Sequence, residues 1–203
     1  GDDQHLTYTM ERGLDWRHDL TRLRAFIDRD NVNSLIGGAG VRGDIGLLSV
    51  DIDGNDLWVL RAIDVVSPRI LITEYNSTWG PDAQVSVPYA ADFVRERAHH
   101  SNLYWGASLA ALAREANDKG YALVGGNRAG NNAFFVRRDV LGDIPERTVG
   151  SVYRESRFRE SLDRDGYRSY LTDRHARLAV IRDLDVVDLE RGDLVTVGER
   201  FGI

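Results

Sequence analysis

The chain contains no cysteine, which excludes disulfides, thiolate metal sites and cysteine nucleophiles. Any chemistry therefore rests on carboxylates, histidines, hydroxyls or arginines. Lys119 is the only lysine, so a Schiff-base mechanism has one candidate, and the Lys119-Gly120 pair equally suits the end of a helix. No apolar stretch approaches the roughly 20 residues that cross a bilayer. The opening Gly1-Asp2-Asp3-Gln4-His5 lacks the charge and apolar pattern of a signal peptide, which makes the cytoplasm the expected setting. A basic cluster is missing too. The net charge is -6 and the arginines are interleaved with acids, which argues against a nucleic-acid surface. No internal repeat, low-complexity segment or nucleophile elbow is present, and Ser108 has no base nearby in sequence, which disfavours a serine hydrolase.

What the chain does have is enough apolar content, 42% of 203 residues, for one substantial core. The pattern changes beyond Pro145, predicting an α/β domain over residues 1–145 and a C-terminal appendage over 146–203. Within the first part, the apolar run Ile45 to Val50 stops at the acidic turn Asp51-Ile52-Asp53-Gly54-Asn55-Asp56. A helix-length segment from Leu57 to Val66 follows, Ser67-Pro68 breaks it, and Arg69 to Thr73 forms a second apolar run that delivers Glu74-Tyr75-Asn76. Two buried strands joined by a crossover, each releasing carboxylates at its carboxyl end, place a site along that edge of an open sheet.

Elsewhere the local signals predict a short strand or helix end over Leu20 to Phe26, then a helix capped by Asp30-Asn31 that stops at Gly37-Gly38. Residues 76–89 form a long loop suited to a pocket wall. A helix is expected from Ser101 to Asn117, then strands Tyr121 to Val124 and Asn132 to Val136 paired antiparallel. The appendage reads as a helix from Tyr153 to Leu162 and β-like stretches between Leu178 and Leu189.

Asp51, Asp53 and Glu74 are the leading site candidates, because three carboxylates at adjacent strand ends attract an ammonium group and raise one another's pKa. One of them then accepts a proton from the amine. Asp51 and Asp53 are also placed to cap the following helix, with Asn55 and Asp56 in its turn. Asp82, in the long loop, is a further acid that can meet the same cation or simply form a turn. Tyr75, Asn76, Trp79, Tyr104 and Trp105 are candidates for a wall around a small molecule, although aromatics near strand ends also serve as core. Arg128 is a candidate ligand for an anionic group, as are Arg61, Arg137 and Arg138. His99-His100 suggests a metal only weakly, since adjacent side chains point apart, and no metal is assigned.

Taken together, Leu47 to Asp56, Glu74-Tyr75-Asn76, Tyr104 to Leu109, Lys119-Gly120-Tyr121 and Asn132 to Phe135 resemble the later half of class I S-adenosylmethionine-dependent methyltransferases of the FkbM type. The resemblance covers roughly residues 20–140 and implies an incomplete Rossmann-like, class I methyltransferase-like sheet with the C-terminal α/β appendage. In that family a Gly-rich turn after the first strand holds the cofactor. Here Gly1-Asp2-Asp3 matches at most the tail of the second strand, and Gly37-Gly38-Ala39-Gly40 follows a helix, so the resemblance implies no cofactor for the chain alone.

Three arrangements fit this departure: a truncated methyltransferase, a partner chain that completes the fold, or a scaffold recruited for other chemistry. The second and third together are similar to a split aziridine-forming enzyme of azinomycin-type biosynthesis, in which an amine displaces a neighbouring sulfate. The expected partners are a small-molecule substrate and a second protein chain. A methyltransferase using S-adenosylmethionine held by a partner, and a non-catalytic scaffold subunit, are the alternatives.

Overall fold

The apolar runs within Gly43–Val50 (β1) and Val66–Glu74 (β2) build the two strands that carry the site, and they pair in parallel with Val50 opposite Thr73. The computed structural model describes residues 20–156 and 161–203. Before β1 lies the helix Val32–Gly38 (α1), and the crossover to β2 is the helix Asp56–Ala62 (α2). A single-turn 3-10 helix at Ser77–Trp79, the two-residue strand Val85–Ser86 (β3) and the helix Arg95–Ala98 (α3) follow. Leu109–Asp118 (α4) then leads into the hairpin of Tyr121–Gly126 (β4) and Asn132–Arg137 (β5).

The principal sheet is mixed, in the order β1-β2-β5-β4, with β5 antiparallel to both neighbours. Pro68 lies inside β2 rather than ahead of it, opposite Ile45. The missing amide is tolerated because β5 pairs with β2 only from Ile70 onward. Side chains of a strand alternate between faces. One face, with Val50, Leu71, Ala133, Phe135 and Leu123, packs on Leu57 and Leu60 of α2 and Leu109, Leu112 and Ala116 of α4. The other carries Leu47 and its partner Ile70, which are 51% and 41% exposed. Among the described residues no strand pairs with the outer edge of β1.

The C-terminal region adds the short helix Val149–Val152 (α5), the helix Arg174–Val180 (α6), strands Asp185–Asp188 (β6) and Asp193–Thr196 (β7), and the helix Val197–Phe201 (α7). Its sheet, β3-β6-β7, crosses the division at residue 145, since β3 comes from the long loop. A second core joins Trp79, Val85, Val87 and Leu103 to Leu178, Ile181, Val186 and Val197.

Several local expectations are corrected. Leu20 to Phe26 has no regular secondary structure. The long helix begins at Leu109 rather than Ser101, because Gly106 turns with φ of 61° and the Ser108 hydroxyl caps the helix by accepting from the Ala111 amide. Residues 153–156 are not helical, and the rest of the expected Tyr153 to Leu162 helix lies largely outside the described residues. Leu178 belongs to a helix, which Asp173 caps by accepting from the Ala176 amide. Gly1 to Asp3 also lies outside the described residues. Among those described, no helix is long and apolar enough to cross a membrane.

Candidate functional site

The turn that follows β1 is closed from inside by Asp56, the first residue of α2. Its Oδ1 accepts from the Ile52 amide at 3.1 Å and its Oδ2 from the Gly54 amide at 3.0 Å. Burial raises the Asp56 carboxyl to about 7 against these two bonds. The helix takes no side-chain cap: Asn55, and neither Asp51 nor Asp53, stands at its N-cap position, while Asp56 closes the preceding turn. The neighbouring Asn55 makes no cap bond and donates instead to the Ala90 carbonyl at 2.8 Å.

Released from that task, Asp51 stands one residue beyond the Val50–Thr73 pair, level with Glu74 at the end of β2. Their side chains share the face opposite α2 and α4, close enough that each carboxyl acts on the other's pKa. Glu74 is 8% exposed; its Oε1 accepts from Asn131 Nδ2 at 3.0 Å, while its buried Oε2 has no N–H or O–H donor. Burial first, and then the Asp51 charge, push Glu74 up to about 8. Asp51 is exposed, and its pKa is raised by partial desolvation and by Asp53. At neutral pH Glu74 therefore retains its proton, and Asp51 is the outer, solvent-facing acid of the two.

Asp51 opens on a cleft of about 950 Å³ lined also by Asp53, Asn55, Phe26, Ile27, Phe93 and Arg95. Gly54 lets the turn reach Phe93: a Cβ at this position would lie 2.2 Å from the ring. Asp53 adopts φ of 56° and extends to solvent, where its Oδ1 meets Arg95 Nη1 at 3.1 Å. Arg95 also donates to the Asn102 carbonyl and lies 4.7 Å above the Trp105 ring. The cleft wall thus carries three acids, Asp51, Asp53 and Glu96, two arginines, Arg24 and Arg95, and an apolar surface. Arg95 and Phe93 were not foreseen, because nothing local marks them; they reach the turn from about 40 residues away by the folding of the long loop.

The other candidates fall elsewhere. Asp82 is exposed on the loop before β3 and is not part of the cleft wall. Asn76 is fully buried and spent on structure: Nδ2 donates to the Leu103 and Trp105 carbonyls and Oδ1 accepts from the Thr78 amide. Tyr75 and Trp79 are core, the first bonded to the Arg154 carbonyl and the second stacked on Phe201. Trp105 is core beneath Arg95. Tyr104 donates to the Asp185 carbonyl in the second layer. The expected aromatic wall is therefore mostly interior, and the cleft takes its apolar surface from Phe26, Ile27 and Phe93.

Arg128 is exposed in the β4–β5 turn, outside the cleft wall. Arg61 pairs with Glu115, Arg137 with Asp44 and Asp139, and Arg138 with Glu146. His99 is engaged by Ser101 at 2.7 Å. Among the described residues no group of three or more His, Asp and Glu is arranged to hold a metal ion.

Gly37 and Gly38 close α1, and Gly40 leads on toward β1. The run therefore follows a helix and precedes a strand. Compared with protein-family models, curated proteins and solved structures, the chain matches none.

Proposed function

We propose that the chain is a cytoplasmic subunit of a small-molecule biosynthetic enzyme, in which a class I methyltransferase-like scaffold supports intramolecular substitution by an amine. The reading is carried by the exposed Asp51 backed by the buried, proton-holding Glu74 at the carboxyl ends of parallel strands, the edge where open α/β sheets place their ligands. The substrate ammonium group gives one proton to the Asp51 carboxylate, whose raised pKa suits it to that task. The freed nitrogen lone pair attacks the neighbouring carbon that bears a sulfate ester. The C–N bond forms as the C–O bond breaks, the electron pair leaves with sulfate, and the product is a protonated aziridine. Asp53 contributes negative potential at the rim but is tied to Arg95.

A second chain completes the site in this reading. The exposed Leu47–Ile70 pair and the outer edge of β1, unpaired among the described residues, favour such a partner. With the assembled complex, Asp51→Asn and Glu74→Gln are each expected to lower turnover by about 100-fold or more, and Asp53→Asn by much less. Unchanged turnover in the first two would leave the chain as a scaffold. Calorimetry of the complex with S-adenosylmethionine separates the methyltransferase reading, which requires tight binding.

A further inference from the structure

The β4–β5 turn contains a chain of two amides whose direction is fixed. Asn127 Oδ1 accepts three backbone amides, from Gly130, Asn131 and Asn132, at 3.0, 3.2 and 3.1 Å. That leaves its Nδ2 to donate, and it does so to Asn131 Oδ1 at 2.8 Å. The Asn131 amide is thereby oriented with its own Nδ2 toward Glu74 Oε1, at 3.0 Å. Its backbone is held as well, since the Asn131 carbonyl accepts from the Tyr75 amide at 2.7 Å. Gly130, at φ of 77°, lets the turn settle on residue 154, because a Cβ would stand 2.6 Å from the Arg154 carbonyl oxygen.

We propose that Asn131, aligned by Asn127, is a positioning residue for Glu74: it occupies Oε1 with a donor and so assigns the exchangeable proton to the unpartnered Oε2. This rests on the reading of Asp51 and Glu74 as a neighbouring acid pair in which Glu74 holds the proton. The groups whose charge or hydrogen bond acts on Glu74 are Asp51 and Asp53 from the turn after β1, Asp56 from α2 and Asn131 from the hairpin. Of these only Asn131 offers a donor, and a donor favours the ionised carboxylate. Reversing the amide replaces that donor with an acceptor and retains the proton to higher pH.

The test is a ¹³C carboxyl titration of the full chain labelled at glutamate, with Glu74 assigned from Glu74→Gln. The wild-type Glu74 midpoint is expected near 8. Asn131→Asp removes the donor directly. Asn127→Asp keeps an acceptor for the three backbone amides but withdraws the donor that orients Asn131. Each substitution is expected to raise the Glu74 midpoint by about one unit or more, with unchanged far-UV circular dichroism. In the wild type the Asn131 side-chain NH₂ resonances follow the same midpoint, a measurement that needs no variant. A wild-type midpoint near 8 with both folded variants unmoved, or Asn131 resonances blind to the titration, overturns the positioning role and leaves the acid pair standing. A wild-type Glu74 that titrates in the ordinary carboxylate range overturns the acid pair itself.

Discussion

Asp51 and Glu74 stand side by side because β1 and β2 run parallel with Val50 opposite Thr73, so the backbone ladder itself sets two carboxyl groups on one sheet face. Neither position depends on a flexible reach. One acid opens on the cleft while the other is buried behind it, so the two differ in access to solvent.

The pair makes stability fall as pH rises. Glu74 holds its proton to about 8 in the folded chain but releases it near 4.5 when unfolded, so its contribution is full below the unfolded value and lost as pH climbs through the folded one. Asp56, at about 7, acts in the same direction over a lower window. Denaturant unfolding at a series of pH values is expected to show a decline between about pH 4.5 and 8. Glu74→Gln keeps an acceptor for Asn131 without the charge, and should flatten the upper part of that decline.

Asp56 and Asp51 should respond oppositely to truncation. Asp56→Ala leaves the buried Gly54 amide and the Ile52 amide without their acceptor, at a cost of about 1–3 kcal/mol. Asp51→Ala removes a carboxylate that is destabilised by its neighbours, so urea midpoints are expected to stay level or rise. A comparable loss for Asp51→Ala would mean that this residue too holds the turn together.

Asn76→Ala should be among the more damaging changes outside the cleft. It strips the donor from two buried carbonyls and the acceptor from the Thr78 amide, costing roughly 2–4 kcal/mol. Tyr75→Phe, which loses only the bonding of its hydroxyl to Arg154, is expected to cost about 1 kcal/mol. Thermal or urea unfolding of the two variants gives the comparison.

Gly54→Ala brings a methyl into the Phe93 ring, an overpacking worth about 1–3 kcal/mol. Phe93→Ala in the same chain should recover most of that loss. A double-mutant cycle with no coupling between the two positions would mean that the turn and the cleft wall do not touch.

Much of the fold was legible locally. The apolar runs around Leu47 and Leu71, the Lys119-Gly120 helix end and the paired strands near Leu123 and Phe135 announce themselves by composition and spacing, because backbone propensity and alternation act over a few residues. The start of α4 was misplaced: the apolar residues from Leu103 onward suggested a helix, whereas Leu103 and Ala107 are buried in a loop that bridges β3.

By itself the sequence determined which chemistry is possible, with carboxylates, arginines and no thiols, and that Asp51 and Glu74 end successive strands. Tertiary structure alone decided the division of labour among the acids. Asp56 became a buried turn closure, Asp53 the rim partner of Arg95 and Glu74 the desolvated member bound to Asn131. Those partners lie 42 and 57 residues away along the chain. Desolvation and charge proximity belong to positions in space, and chain order does not record them.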